Sequence, residues 1–414
     1  MNISAEFLAP GANASVEEAN TVARLKICVG RSIATDLRKA GEQQIVDHIV
    51  MPVYPLAESI AFRWWQILYG RGRKVSMRAL RSGFVMPDIT LTGIGNDQIE
   101  ITCKPFAYEN PNIQFVSLDE EKQSINEVQD QLLTFLMSVL DQLGERKVAG
   151  SLLSAQFEKI EASLDDDDEL EFCRAAGAFD VDPYTADDRV AGLIEDAARL
   201  FDSDGLEEFL AGSKLNSAIG SIEWLRDAEH RLGEMTELPG VEDLRGFLNF
   251  RRRAAAPWTE GYASARKARH RLGLQSTDTI ESVANLSKLL GNKNFKTAPR
   301  SPSSLKGASH VIPGHAHVIV GSAGPESELF TVARTVGDAL HFGTDHYSPV
   351  TGQVGTYRQQ LGRAFAAEFL APVESILEMQ ETGRDDEQIA HHFGVSEWLI
   401  HHQFENRYKS IYAQ

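Results

Sequence analysis

The sequence is short of cysteine, of long apolar runs and of positive charge, and each shortage excludes something. Among 414 residues there are three cysteines, Cys28, Cys103 and Cys173. They lie far apart, match no metal-ligand spacing and cannot all pair, so no disulfide framework organises the chain and a reducing cytoplasm is the expected compartment. No apolar run approaches the ~20 residues a membrane helix needs, so no membrane partner is expected. The opening Met1-Asn-Ile-Ser-Ala-Glu6 has no basic segment followed by an apolar one, so a secretory signal is not expected. Basic residues number 41 against 59 acidic, a net charge of −18. That disfavours non-specific nucleic-acid binding, which rests on phosphate neutralisation by Lys and Arg. It leaves room for a local basic patch, for an acidic face that meets a basic partner, or for mimicry of DNA charge.

What is present suits a soluble globular protein of two or three domains: 43% of residues are hydrophobic and 24% charged. The fold class reads as α+β, mostly helical. Residues 1–150 suggest an α+β domain of unknown role, residues 151–245 a helical middle, and residues 246–414 a third domain. Residues 1–20 are small and polar and read as a loose tail. Residues 23–29 and 45–54 read as extended, and 55–69 as a helix with Trp64 and Trp65 in the core. Arg71, Arg73, Lys74, Arg78 and Arg81 then form a basic stretch, either a solvated loop or an anion contact. Strands are expected over 84–92 and 98–104, joined by a turn at 93–97, and over 113–118. A helix follows over 124–143. The acidic run 164–171 lacks the ligand spacing and the Gly bend of a calcium loop, and reads as a helix start capped by Ser163. No strand signal recurs through the middle third.

The C-terminal part is organised around Glu328-Leu-Phe-Thr-Val-Ala-Arg-Thr-Val-Gly-Asp-Ala-Leu-His341. Leu329, Val332, Val336, Ala339 and Leu340 recur at helical spacing, which predicts a buried amphipathic helix. A second helix is predicted over 357–370, ended by Ala371-Pro372. Before them come helices over 257–273 and 277–290, a mobile surface loop over 292–307 and a strand over 310–320. The basic side chains of the first of these helices, from Arg266 to Arg271, read as mostly solvated. On the strand His315 and His317 lie two apart and point the same way. They read as surface histidines or as a metal pair without an evident third ligand.

Residues 257–407 resemble the ImmA/IrrE family of zinc metallopeptidases. That family carries Arg-Phe-Thr-x-Ala-His-Glu-x-Gly-His on its first motif helix. Its second carries Glu-x-x-Ala-Asn-x-Phe-Ala-Ala-x-Leu-Leu-x-Pro. Here Phe330, Thr331, Ala333 and Gly337 match, as do Phe365, Ala366, Ala367, Leu370 and Pro372. Residues 386–396 look like the family's closing helix-turn-helix-like element, which is expected to pack on the core. The resemblance implies a zincin-like domain, but its chemical groups are replaced. Arg334 stands at the first ligand position, Thr335 at the general base, Asp338 at the second ligand and Gln359 at the third. A hydrolytic zinc needs three protein ligands and an open position for water. Arginine has no lone pair to offer, threonine has no acid–base function near neutrality, and glutamine supplies a weak carbonyl oxygen at best.

The resemblance therefore implies a catalytically silent pseudo-peptidase with no cofactor. Its old cleft would hold a protein or peptide partner, in a bacterial stress, toxin–antitoxin or phage-defence circuit. Arg334 and Asp338, opposite charges at i and i+4, are expected to pair and fill the vacated site, with Gln359 or Arg363 joining. A rival is a relocated zinc site made of Asp338, His341 and His346, which would make the chain a metal-dependent hydrolase. A further alternative is nucleic-acid contact through Arg71 to Arg81 or Arg251 to Arg253.

Overall fold

A computed structural model describes residues 1–12, 15–39, 44–70, 73–81, 83–94, 98–109, 113–232, 236–248, 256–301, 303–352 and 355–412. Arg71, residues 95–97 of the 93–97 turn and Arg251 to Arg253 lie outside the described residues. The chain is α+β, with about 53% of residues in helices and 21% in strands. It divides into two compact units, residues 1–191 and 192–414. The helices expected over 151–245 are shared between them.

In the first unit β1 (Asn2–Phe7) pairs along its length with β2 (Val22–Val29), with α1 (Val16–Asn20) between them. Residues 2–7 are therefore a sheet strand, not a loose tail, and Met1 and Ile3 are buried. The strand's signal in the sequence is faint, because the alternation rests on only Ile3, Ala5 and Phe7. In β2 the inward Ala23, Leu25, Ile27 and Val29 alternate with polar or half-buried residues, the period-2 signature of a strand with one buried face. Short strands β3 (Ser32–Ile33), β4 (Leu37–Lys39), β5 (Ile45–Val46) and β6 (Ile49–Pro52) follow. The expected helix 55–69 breaks at Arg63 into α2 (Tyr54–Phe62) and α3 (Trp64–Tyr69). Trp64 and Trp65 are core residues, as read from the sequence.

Beyond them, β7 (Lys74–Ser76), β8 (Asp88–Ile94) and β9 (Gln98–Lys104) form one sheet with β12 (Asp119–Ser124). A second sheet contains β10 (Phe106–Tyr108) and β11 (Ile113–Phe115) beside β4 and β5. The basic stretch is largely engaged here. Arg73 Nη1 lies 2.9 Å from Asp180, and Arg78 stacks 3.6 Å over the Phe106 ring. Arg81 donates to the Tyr108 hydroxyl. The long α4 (Ile125–Glu145) starts from a capping box of Ser124 and Glu127. It is followed by α5 (Leu152–Leu164) and α6 (Asp167–Ala178). Asp166 caps α6, not Ser163, whose buried hydroxyl donates to the Lys159 carbonyl within α5.

The division between the units falls within α7 (Asp188–Ala198). The second unit continues with α8 (Ser203–Gly212), α9 (Leu215–Leu232), β13 (Thr236–Glu237), α10 (Pro239–Leu248), α11 (Pro257–Arg271) and α12 (Val283–Leu289). β13 corrects the reading of a strand-free middle. α12 is shorter than the expected 277–290 helix because Ser282 caps it late. Residues 310–320 are not one strand but part of a hairpin, β14 (Leu305–Ile312) and β15 (His315–Val320), turning at Gly314 with φ +83°. The sheet is antiparallel in the order β13-β15-β14-β16, where β16 is Tyr347–Thr351. The loop before β14 is pinned: Trp224 Nε1 donates to the Pro299 carbonyl at 2.6 Å, and Ala298 bridges to Gly321.

One face of this sheet is covered by α13 (Pro325–Phe342), whose Leu329, Val332, Val336 and Ala339 are buried. α14 (Tyr357–Leu370) crosses α13 at Gly337, where an added Cβ would lie 2.6 Å from Phe365 Cδ1. α15 (Val373–Glu381), α16 (Asp386–Phe393) and α17 (Glu397–Tyr412) close the unit. Gly394, at φ +67°, makes the left-handed turn between the last two. Ile389, Phe393, Leu399 and Ile400 join the core, so this element packs inward as expected.

Candidate functional site

The four positions singled out on the motif helices are all buried in the second unit. Thr335 is sealed in α13, with its hydroxyl bonded to the Thr331 carbonyl at 2.9 Å. Arg334 and Asp338 do not pair with one another as expected. A different arginine, Arg358 in the first turn of α14, takes Asp338. Its Nε donates to Oδ1 at 2.6 Å and its Nη2 to Oδ2 at 3.0 Å. Both side chains are 3% exposed. Ser348 of β16 completes the cluster, donating to Asp338 and accepting from Arg358. The bidentate fork uses both carboxylate oxygens, so this Asp has little left to offer a cation.

Arg334 turns instead toward β16 and the start of α14. Its Nη2 donates to the Thr351 carbonyl at 2.9 Å and to Gln359 Oε1 at 2.8 Å. Gln359 thus joins the cluster, as expected, but on Arg334 and not on an Arg334–Asp338 pair. Its amide donates to Glu208 Oε2 and to the Pro349 carbonyl, both at 3.1 Å. Thr356 caps α14 through Gln359 N and donates its hydroxyl to the same Glu208 oxygen at 2.7 Å. The cluster therefore spans α8, α13, β16 and α14.

Burial sets the electrostatics. It pushes Arg334 down to about 9, helped by the nearby Arg363 charge and opposed by Asp338 and Glu208. Burial alone would also lower Arg358, but the charge and hydrogen bonds of Asp338 outweigh it and the guanidinium is held more firmly protonated than usual. Desolvation raises the Glu208 carboxyl, against the pull of Arg358 and the bonds from Thr356 and Gln359. Glu208 Oε1, Arg334 Nε and Thr351 Oγ1 are buried without a hydrogen-bond partner, a residual cost the cluster carries.

Asp338, His341 and His346 are not gathered on a common point. His341 faces α11, its Nε2 3.0 Å from the Ser264 hydroxyl and its Nδ1 3.9 Å from Glu260. Burial pushes its pKa down to about 3, so the imidazole is neutral and the Glu260 contact is not an ion pair. His346 is exposed beside Asp345. Among the described residues no group of three His, Cys, Asp or Glu side chains is placed to hold a metal ion. On α11, Arg266 pairs with Glu368 at 2.6 Å, and the buried Arg269 donates to the carbonyls of Phe369, Gln275 and Asp278. Arg269 is thus a buried structural tie and not the solvated charge expected there, whereas Arg266, 51% exposed, stays solvated as expected.

The partners missing from the sequence reading are Arg358, Ser348, Thr356 and Glu208. Arg358 did leave a signal: it shares the apolar stripe of Leu361, Phe365 and Phe369, where a charge is out of place. Glu208 left none, since it lies 151 positions from the Gln359 it meets. Comparison of the chain with family models, with curated proteins and with solved structures finds no match.

Proposed function

We propose that this chain is a non-catalytic, protein-binding or regulatory component. Its second unit is read as a degenerate metallopeptidase domain of the ImmA/IrrE kind, working in a bacterial stress, toxin–antitoxin or phage-defence circuit. The observation that carries the reading is the filled site. The groups at the ligand and base positions are buried and bonded to protein, with the Arg358–Asp338 fork where a metal-ligand bond would tie the two helices. A guanidinium and a carboxylate perform that cross-linking without an electrophile for a scissile carbonyl. The partner in this reading is a protein or peptide that is gripped and not cut.

The test is a cleavage assay on unfolded and repressor-type protein substrates, with and without a chelator, beside metal analysis of the wild type and Asp338→Ala. No chelator-sensitive cleavage is expected. Zinc that is lost on Asp338→Ala and accompanies cleavage would overturn the reading in favour of the Asp338, His341 and His346 set.

A further inference from the structure

In the second unit β16 is the outer strand of its sheet, and a strand edge left open is a template for another chain. The outward groups of β16 are taken by the chain itself. Tyr347 N donates to the Leu200 carbonyl at 2.9 Å, beside a parallel bridge between Phe201 and Tyr347. Gln359 imitates a further strand residue with its side-chain amide. Its Nε2 donates to the Pro349 carbonyl at 3.1 Å and its Oε1 accepts from Thr351 N at 3.2 Å. α8 then runs along the same edge. An added Cβ would lie 3.1 Å from the Tyr347 carbonyl oxygen at Gly205, and 2.6 Å from Thr351 Cβ at Gly212. The two glycines therefore let helix and strand touch near both ends.

Residues 200–212 thus form a strap over this edge. Asp202 fastens its start, accepting from Thr344 Oγ1 at 2.9 Å, and Ser304 fastens its end, donating to the Gly212 carbonyl. Between these points Leu206, Phe209 and Leu210 are buried, and Phe201 stacks on Phe209 at 4.9 Å. In their midst Glu208, 1% exposed, sets its carboxylate against Thr356 and Gln359. Covering an edge requires only the apolar residues, and burying a carboxylate there is costly. Glu208 instead suits what lies beneath, because the charges of Arg334, Arg358 and Arg363 all bear on it. Withdrawing the strap removes Asp202 and Glu208, whose charges act on these arginines, and leaves Asp338. Whatever takes the strap's place must therefore bring negative charge.

We propose that residues 200–212 are a displaceable internal strap, and that the seat beneath it takes an acidic amphipathic segment of a protein partner, which inserts a carboxylate among Arg334, Arg358 and Arg363. The strap is suited to release. α8 has ten residues, too few to be stable apart from its packing. Glu208 Oε1, Arg334 Nε and Thr351 Oγ1 have no hydrogen-bond partner among the described residues. The seat is thus imperfectly satisfied, which places α8 with the elements that open locally. The strap's role as a stand-in for the partner rests on the partner-binding reading of this unit; its mobility does not.

The experiment is hydrogen exchange of the full chain, read by mass spectrometry at single-residue resolution and corrected for intrinsic rates. Ser348 and Val350 face β14 in the ladder, whereas Tyr347 N–H is bonded to Leu200. Tyr347 should exchange at least ~10-fold faster than those two, which is a local opening about 1.4 kcal/mol easier than opening of the sheet. Glu208→Ala, and the milder Glu208→Gln, should speed Tyr347 and the α8 amides further and leave Ser348 and Val350 unchanged. Fraying of the strand end would not respond to Glu208. A labelled peptide of residues 199–213 is the probe of the seat. It should bind the Glu208→Ala chain at least ~10-fold more tightly than wild type, whose own strap competes, and a peptide carrying Glu208→Gln should bind more weakly. The displaceable strap is overturned if Tyr347 exchanges no faster than Ser348 and Val350, or ignores Glu208. The acidic partner is overturned if the peptide does not bind the loosened chain, or binds equally well with Glu208→Gln. Circular dichroism melts check that each variant is folded. Chelator-sensitive cleavage, measured separately, would sink the pseudo-peptidase reading and leave both exchange results standing.

Discussion

Asp338→Asn probes the buried cluster most directly. The substitution keeps shape and one acceptor but removes the charge that Arg358 grips through bonds of 2.6 and 3.0 Å. Arg358 would then be an uncompensated guanidinium, 3% exposed, with Arg334 in the same cluster. Glu208, which also acts on Arg358, is itself pushed toward its neutral form by burial. Charge centres about 4 Å apart at an effective dielectric constant near 20 attract by about 4 kcal/mol. Removing one member of a buried pair costs about 3–5 kcal/mol in measured cases. The expected loss is about 3 kcal/mol, the lower end, because Asn retains a hydrogen bond to the guanidinium. Asp338→Leu combined with Arg358→Met removes both charges and should recover most of that loss, which a double-mutant cycle reads as a coupling of a few kcal/mol. The assay is urea unfolding of the full chain by circular dichroism and tryptophan fluorescence, fitted with a separate transition for each unit. A loss below about 1 kcal/mol for Asp338→Asn, or strict additivity in the cycle, would refute the claim that this pair holds the helices together.

His341 is held neutral down to about pH 3 by burial, while in the unfolded chain it takes a proton near 6.5. Between those values the unfolded state binds more protons, so stability should fall as pH drops below about 6.5, by up to about 1.4 kcal/mol per unit. Glu208 and Glu368, both raised by burial, act with the opposite sign just above the carboxylate range. Thermal melts from pH 7.5 to 5 should show the acid-side loss in wild type and a shallower one in His341→Gln; equal slopes would remove His341 as the cause. Gly337→Ala forces a methyl against Phe365, 2.6 Å from Cδ1. Overpacking of about 1–3 kcal/mol, less the ~1 kcal/mol helix gain of Ala over Gly, should leave it net destabilised. A stabilised Gly337→Ala would show that the helices are free to part there.

The sequence by itself determined the elements whose signals are local. The apolar repeat of Leu329, Val332 and Val336 wrote α13, and the Ser124–Glu127 pair wrote the start of α4. Arg334, a side chain with no lone pair to offer a metal, was legible before any packing was known. What local spacing could not reach was set by chain segments that meet only on folding. The i, i+4 rule offered Asp338 to Arg334, but α14 delivers Arg358 with a two-point fork, and Arg334 goes to a carbonyl and an amide. Glu208 enters from another helix, and β1 is a strand because β2 pairs with it along its whole length. His310 faces His317 only because the hairpin turns at Gly314. Short-range periodicity reports which face of an element is buried. The choice among competing partners inside a desolvated core depends on the three-dimensional approach of groups far apart in the chain.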